Sequence, residues 1–309
     1  MLMIKKIRLS FCLLASMGLL FLGGCGAAAT GSTSGGAGAT AVLNVVAAEN
    51  FYGDIVKQLG GSRVNVVSIL SDPNIDPHEY EASAQNAIAI QKADLVIENG
   101  LGYDAWMDKL LSASPNPHRI VLTAGNVADH KLPDNPHVWY GLDNILSIAQ
   151  SITGELKQLD STDVTLFERN LTAFQQSIKP LQQMLIDLRA RYNGVPVALT
   201  ETIYLYQTEP IGLKVLTPFE FEKAIAEGND PPADTVIAAN DQISQKQVKV
   251  LIYNQQTVSP ITTNLQNAAQ KLHIPIIPVT ETMPLGNTYQ SWMKEQLTAL
   301  QQALSRQMS

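Results

Sequence analysis

Cysteine is nearly absent from this chain of 309 residues. The two cysteines, Cys12 and Cys25, both lie close to the N-terminus. From Gly26 onward the sequence therefore has no residue for a disulfide, a thiolate metal ligand or a cysteine nucleophile. Three short catalytic signatures are missing as well, namely HExxH, the phosphate-binding P-loop and GxSxG. These absences remove several common classes of enzyme from consideration.

Basic residues are also scarce. The whole chain has 21 Lys and Arg against 28 Asp and Glu. Three of those bases, and no acid, fall within the first 24 residues, so the remainder carries 18 bases against 28 acids, a net charge of -10. An acidic protein without a basic stripe attracts cations and repels nucleic acid phosphates. We therefore expect no nucleic acid partner.

The first 24 residues have the layout of an export signal. Three bases at positions 5–8 precede an apolar run, residues 9–22. This run is shorter than the length of about 20 apolar residues that a transmembrane helix needs. The next residues, Gly23-Gly24-Cys25, resemble the lipobox of bacterial lipoproteins, in which the cysteine is lipidated and begins the mature protein. Gly23 is a less usual lipobox residue, and an ordinary secretory signal cut nearby is the alternative.

A tract rich in Gly, Ala, Ser and Thr follows the cysteine. We expect residues 1–24 to be a lipoprotein signal peptide and residues 25–40 a flexible tether from lipidated Cys25. Bacterial lipoproteins of this kind carry more than one acyl chain, which keeps them attached, whereas a single chain binds reversibly. The expected location is the outer face of the cytoplasmic membrane, on the cell-surface or periplasmic side.

Short β-branched runs alternate with helical patterns through the rest of the chain. This alternation predicts an α/β fold with parallel sheets built from βαβ units, and four strands in each half predict two lobes. The predicted strands are residues 42–47, 64–70, 95–98 and 119–122, then 195–199, 235–238, 248–252 and 274–279. The predicted helices are residues 51–59, 83–92, 104–111, 218–226 and 261–272.

One long helix is predicted between the two halves. Apolar residues recur at alternating steps of four and three from Phe167 to Tyr192, with Ser161 or Thr162 as the N-cap and Pro180 inside. At 1.5 Å per residue this helix would be about 45 Å long. We expect an N-terminal lobe over 41–158, a linking helix over 159–194 and a C-terminal lobe over 195–309. A helix inside one larger domain fits the pattern equally well.

Two of the five histidines occupy similar sequence settings. His78 and His137 each follow a proline and precede an aromatic residue by two positions, Tyr80 and Trp139 respectively. A proline restricts the backbone before it binds anything, which lowers the entropy lost when an imidazole is ordered. His118 also follows Asn-Pro but leads directly into a strand. Taken alone, each of these histidines is more often an ordinary surface or core residue than a ligand.

The segments DPHEYE and NPHVWY resemble the two histidine motifs of the zinc/manganese-type (cluster A-I) substrate-binding proteins of ABC importers. That resemblance covers the chain from about residue 42 to its C-terminus. It implies two α/β lobes joined by one rigid helix, with one metal ion between them. It also implies four ligands, of which two come from each lobe. The implied ligands are His78, His137, Glu201 and Glu281.

Three further residues, Asp241, Tyr80 and Trp139, belong to the candidate site. Many family members have Asp where this chain has Glu281, and Asp241 is a reserve ligand because it follows a predicted strand. Tyr80 and Trp139 are expected to wall the site and exclude water, a role compatible with plain core packing.

The resemblance also implies a function, the capture of a divalent transition metal for import. A Glu at the third ligand position favours manganese, as does the short loop before the second motif; zinc is a close second, and Fe²⁺ is a further candidate. The expected partners are the permease and ATPase subunits of the importer, and the chain is expected to be a monomer and not an enzyme. The alternatives are a metallohydrolase and a surface adhesin built on the same fold.

Overall fold

The first half of the chain forms a parallel sheet of four strands. The computed structural model describes residues 42–308 except 73, 74, 76, 78, 79 and 82. The strand order is β2-β1-β3-β4, and every pairing is parallel. The strands are β1 Leu43–Glu49, β2 Val64–Leu70, β3 Leu95–Glu98 and β4 Ile120–Thr123. All four predicted strands of this half are therefore present, within two residues at each end.

The second half forms another parallel sheet with the same layout. Its strand order is β6-β5-β7-β8. The strands are β5 Pro196–Leu199, β6 Lys214–Val215, β7 Leu251–Asn254 and β8 Ile276–Val279. In both sheets the order reverses beside the first strand, and such a switch point is where open α/β sheets bind ligands, at the carboxyl ends of their strands.

One predicted strand of the second half is wrong. Residues 235–238 are helical; Val236 packs against the core at the surface of the helix, whereas Ile237 is 63% exposed. The fourth strand of this sheet is instead the two-residue β6. The prediction over 248–252 is shifted, because β7 begins at Leu251 where it pairs with Ala198 of β5.

Eleven α-helices lie among the described residues and cover the sheets. They are α1 Asn50–Gly60, α2 Ala84–Lys92, α3 Trp106–Ala113, α4 Ala124–Val127, α5 Leu142–Leu159, α6 Val164–Tyr192, α7 Leu205–Ile211, α8 Phe219–Ala226, α9 Ala233–Ser244, α10 Pro260–Lys271 and α11 Tyr289–Met308. No helix in the described part of the chain is both long and apolar enough to cross a bilayer.

The long helix between the two sheets is α6. Its 29 residues correspond to about 44 Å, and it continues through Pro180. Its N-cap residue is Asp163, not Ser161 or Thr162, and no side chain caps it; the Thr162 hydroxyl donates to Asp160 instead. The predicted fold class, two parallel sheets flanked by helices with one long helix between them, is confirmed. The predicted lobe boundaries stay a prediction.

A single large hydrophobic core is shared by both halves. Phe51 of α1 stacks on Trp139 with ring centroids 4.7 Å apart, and the ring of Trp292 of α11 lies 5.9 Å from that of Phe51. The same core includes Val45 of β1 and Leu199 of β5. Residues 41–309 form one compact unit. Aromatic pairs of this kind stabilise the fold beyond the contribution from burying their apolar area.

The loop after β3 has an unusual backbone. Gly100, Leu101 and Gly102 all have positive φ angles, of 71°, 57° and 84°. A Cβ at position 100 would lie 2.3 Å from the Thr123 side chain, so glycine is required there. The Asp104 carboxylate stabilises this turn by accepting from the amide N–H groups of Asn99 (2.6 Å) and Gly100 (2.8 Å).

Asp104 should make stability depend on pH. Burial raises the pKa of its carboxyl from 3.8 to about 6. Between these values the unfolded chain has lost the proton while the folded chain retains it, so stability falls as pH rises. Above pH 6 both states are ionised, and the full penalty of about 3 kcal/mol applies. In urea unfolding of metal-free protein, Asp104→Asn should show a smaller decline between pH 4 and 7 than the parent; part of the decline remains because burial also raises the pKa of Glu49, Asp54 and Glu98.

The matched control is Asp241→Asn, at an exposed position of α9. It should keep the pH profile of the parent chain. Equal pH slopes for Asp104→Asn and the parent would contradict the assignment to Asp104.

Candidate metal centre

Three of the four predicted ligands lie together in a buried cluster. One ligand atom each from His137, Glu201 and Glu281 lies within 4.8 Å of the others, and the residues are 0%, 1% and 0% exposed. This is the one such group of His, Cys, Asp and Glu found in the part of the chain that the structure describes. His78, the fourth predicted ligand, lies outside the described residues, as does Cys25.

The two glutamates occupy equivalent positions in the second sheet. Glu201 follows the last residue of β5 by two positions, and Glu281 follows the last residue of β8 by two. Because parallel strands end at the same edge of a sheet, both carboxylates reach the same region. Two ionised carboxylates buried this close repel each other and have both lost hydration. A divalent cation between them would offset both penalties.

His137 is held by an asparagine in its own motif. The Asn135 amide group donates from Nδ2 to the Thr202 carbonyl (2.8 Å), and its Oδ1 accepts from the His137 backbone N–H (3.1 Å). These bonds fix which end of the amide is oxygen. His137 Nδ1 lies 2.8 Å from that oxygen and therefore carries the proton, so Nε2 is the acceptor atom. This is the tautomer in which an imidazole ligates a metal through Nε2.

The geometry around Nε2 fits a shared ion. Nε2 of His137 lies 3.9 Å from Oε2 of Glu281, which is too long for a hydrogen bond. Two ligand atoms at 2.0–2.2 Å from a tetrahedral ion would be about 3.4 Å apart. Imidazole nitrogen with carboxylate oxygen is a donor set suited to Zn²⁺ and to Mn²⁺.

Tyr103 joins the two halves at this centre. Its hydroxyl donates to Oε2 of Glu281 at 2.9 Å. Burial, and then the negative charge of Glu281, raise the pKa of the Tyr103 phenol well above its ordinary value, so the group remains a donor. Tyr103 was not predicted; its signal in the sequence was its place just after a predicted strand, in the Gly-Leu-Gly loop described above.

Neutral side chains of the second sheet hold the carboxylates. Asn254, the last residue of β7, donates from Nδ2 to Oε1 of Glu201 (3.0 Å) and of Glu281 (2.7 Å). The Thr257 hydroxyl also donates to Oε1 of Glu281 (2.9 Å), and the Glu281 backbone N–H donates to Gln256. None of these three was predicted, because asparagine, glutamine and threonine after a strand are common in ordinary loops.

The segment before His137 is also held by a side chain that follows β3. Asn99, just after β3, donates from Nδ2 to the Pro136 carbonyl (3.0 Å) and accepts from the Tyr52 hydroxyl (2.7 Å). Since Pro136 restricts the backbone as well, His137 has little freedom. The backbone rigidity predicted from the Asn-Pro-His motif is thus reinforced by the hydrogen bond from Asn99 to the Pro136 carbonyl.

The two predicted wall residues differ in position. Trp139 is fully buried, and its ring lies 5.1 Å from that of His137, so it shields the centre from water. Tyr80 is half-buried, and its ring packs against Trp106 at 4.8 Å. Tyr80 and Tyr103 line a cleft of about 700 Å³.

The remaining predicted residues lie outside the cluster. Asp241 is exposed on α9, and the strand that made it a reserve ligand is absent. His118 is exposed just before the amino end of β4, the end opposite to the one that carries ligands. The structure therefore separates His118 from His137 despite their similar tripeptides.

Comparison with known proteins gives relatives along almost the whole chain. The metal ABC transporter substrate-binding lipoprotein ScbA of Streptococcus cristatus is 24% identical, over 98% of this chain and 100% of that protein. The manganese ABC transporter substrate-binding lipoprotein scaA of Streptococcus gordonii is 29% identical, over 62% of this chain and 63% of that protein.

Solved structures share the fold. The periplasmic zinc-binding protein TroA from Treponema pallidum superposes with a TM-score of 0.73 at 18% identity, covering 85% of this chain and 99% of TroA. A family model described as "Zinc-uptake complex component A periplasmic" matches residues 45–303. The family predicted from the histidine motifs is thereby confirmed. Because the match spans most of its length, the chain belongs to the family of periplasmic zinc-uptake complex component A, ZnuA.

Proposed function

We propose that this chain is the substrate-binding component of an ABC importer and captures one divalent transition metal ion, Mn²⁺ or Zn²⁺. The observation that carries the proposal is the buried convergence of His137, Glu201 and Glu281. The metal is cargo, and the chain delivers it to a permease driven by an ATPase subunit. The names of its relatives, which include metal and manganese transporter lipoproteins, support this role. Membership of an uptake family agrees with a protein that is not an enzyme.

His78 is proposed as the fourth ligand. The described residue Ile75, three positions earlier, accepts through its carbonyl from Nε2 of Gln256 at 3.0 Å. The same Gln256 accepts through Oε1 from the backbone N–H groups of Glu281 and Thr282. One side chain thus ties the start of the His78 segment to the segment of Glu281. Two imidazoles and two carboxylates would then surround the ion.

The ion would bridge the two halves of the chain. His78 and His137 belong to the first half, residues 41–158, which we propose as one lobe, and Glu201 and Glu281 to the second, residues 195–309. An ion bound by both favours the arrangement that brings them together. Release then requires the importer to favour an arrangement in which ligands of one lobe withdraw, through small shifts of loops and packed helices.

Export and lipid anchoring complete the proposal. Lipidation of Cys25 would hold the protein at the outer face of the cytoplasmic membrane, and residues 25–40 would let the binding domain reach the permease. We propose that it acts as a monomer, since the four ligands come from one chain.

Removing either motif histidine should abolish most metal binding. His137→Ala and His78→Ala each remove one of four ligands, and we expect affinity to fall by at least the 10–100-fold typical of losing even a supporting group. Metal content and competition between Mn²⁺ and Zn²⁺ are measured by mass spectrometry on full-length protein purified in detergent without chelator.

His118→Ala is the matched control, because His118 also follows Asn-Pro but is exposed just before the amino end of β4, away from the carboxyl ends of the strands. It should bind metal like the parent chain. Equal metal content in the parent, His78→Ala and His137→Ala would refute the proposed site.

Lipidation is tested separately. Cys25→Ser should abolish incorporation of labelled palmitate and should move the protein from the detergent phase to the aqueous phase. Cys12→Ser, which lies inside the signal peptide, should leave both unchanged. An ordinary secretory signal would instead give no label in the parent chain, and that result would overturn the anchor.

A further inference from the structure

One face of α1 holds the chain that runs from Glu281 into α11. Asn50, Asp54 and Gln58 are spaced four residues apart, so each lies one turn from the next on the same face of this helix. All three side chains hydrogen-bond to the second half of the chain. Their partners there follow in the same order and are Met283, Tyr289 and Gln290, respectively. A polar stripe of the first half therefore holds a segment of the second.

Asn50 makes two hydrogen bonds with a single residue. Its Nδ2 donates to the Met283 carbonyl at 2.6 Å, and its Oδ1 accepts from the Met283 backbone N–H at 3.0 Å. Because a backbone N–H can only donate and a carbonyl can only accept, the orientation of the Asn50 amide is fixed. Both residues are buried. Removing one partner of a buried hydrogen bond costs more than the same change at the surface, so this pair resists separation.

The turn that carries Glu281 ends at this pair of hydrogen bonds. The backbone N–H groups of Glu281 and Thr282 donate to Oε1 of Gln256, at 2.6 and 2.9 Å. The next N–H group along the chain, that of Met283, donates to Asn50. The turn is thus held at its start by the second half and at its end by the first.

An exposed loop follows Met283 directly. Residues 284–288 belong to no helix or strand, and Leu285 within them is 79% exposed. Exposed backbone of this kind opens at a lower free energy than packed backbone. Since Asn50 fixes the last residue before the loop, movement of the loop is not passed on to Glu281.

We infer that Asn50 is a positioning residue for metal binding, which fixes the backbone two residues after Glu281 and so keeps that carboxylate beside His137 and Glu201. This inference rests on the proposed function. The two hydrogen bonds of Asn50 go to the backbone of Met283, so Asn50 acts through Glu281 and not as a ligand. Groups that orient ligands commonly contribute about 10–100-fold to metal affinity. Because Asn50 acts through the backbone, we expect the lower end of that range.

The test measures the Zn²⁺ affinity of the full-length protein in detergent, by competition with a chromophoric chelator. Asn50→Ala removes both hydrogen bonds and should lower the affinity about 10-fold. In the Glu281→Ala background no carboxylate is left for Asn50 to position, so the same substitution should lower the affinity by no more than about 2-fold, the usual error of additivity. A residue that only stabilises the fold would lower the affinity equally in both backgrounds.

Gln58→Ala is the matched control. Gln58 lies on the same face of α1 and also bonds to the second half, but its partner Gln290 lies in α11, beyond the exposed loop. Gln58→Ala should bind Zn²⁺ like the parent. If Glu281→Ala binds too weakly to measure, the comparison of Asn50→Ala with Gln58→Ala decides.

A second variant guards against misfolding. Asn50→Ser keeps a polar residue at the start of α1, but its single, shorter hydroxyl cannot make both hydrogen bonds to Met283. It serves if Asn50→Ala does not fold by circular dichroism, and it should lower the Zn²⁺ affinity in the same way.

The outcomes separate this inference from the proposed function. Three results would overturn the role of Asn50 while the parent still binds metal: an Asn50→Ala affinity equal to that of the parent, an equal fall in Asn50→Ala and Gln58→Ala, or equal falls in the two backgrounds. Parent protein that binds no Zn²⁺ would instead overturn the proposed function, and this inference with it.

Discussion

The dominant constraint on this structure is the burial of two carboxylates side by side. Glu201 and Glu281 are withdrawn from water, and moving each such ion from water into a protein interior costs several kcal/mol after relaxation. Hydrogen bonds from the neutral side chains of Tyr103, Asn254 and Thr257 reduce this penalty. A divalent cation bound between the two carboxylates would reduce it further, and this reduction is a physical source of metal affinity.

The surrounding structure limits how far the two carboxylates can move apart. Tyr103 of the first half donates to Glu281 of the second, and Asn135 reaches the Thr202 carbonyl beside Glu201. Asn50, at the start of α1, makes two hydrogen bonds with the Met283 backbone, of 2.6 and 3.0 Å. With a hydrophobic core shared between the halves, these bonds favour small local shifts over wide hinge closure.

Much of the fold was predictable because its strands are short, buried and β-branched. The failure at residues 235–238 has a clear cause: Val236 and Ile237 have the composition of a strand, but two prolines precede them and Asp234 lies in the first turn, as at a helix start. The two-residue β6 was missed because Lys214–Val215 is too short to show any periodicity. Its place in the sheet depends on pairing with β5.

The candidate metal centre, like the fold, was only partly predictable from the sequence. His137, Glu201 and Glu281 were predicted through motifs that lie next to them in the sequence, whereas hydrogen-bond partners of the two carboxylates come from distant segments: Tyr103 is 178 residues from Glu281, and Asn254 is 53 from Glu201. Those partners hold the carboxylate oxygens in place and so influence how many of them an ion would meet. Two chains with the same four ligands can therefore differ in metal preference. A ligand motif is a better predictor of metal binding than of the identity of the metal.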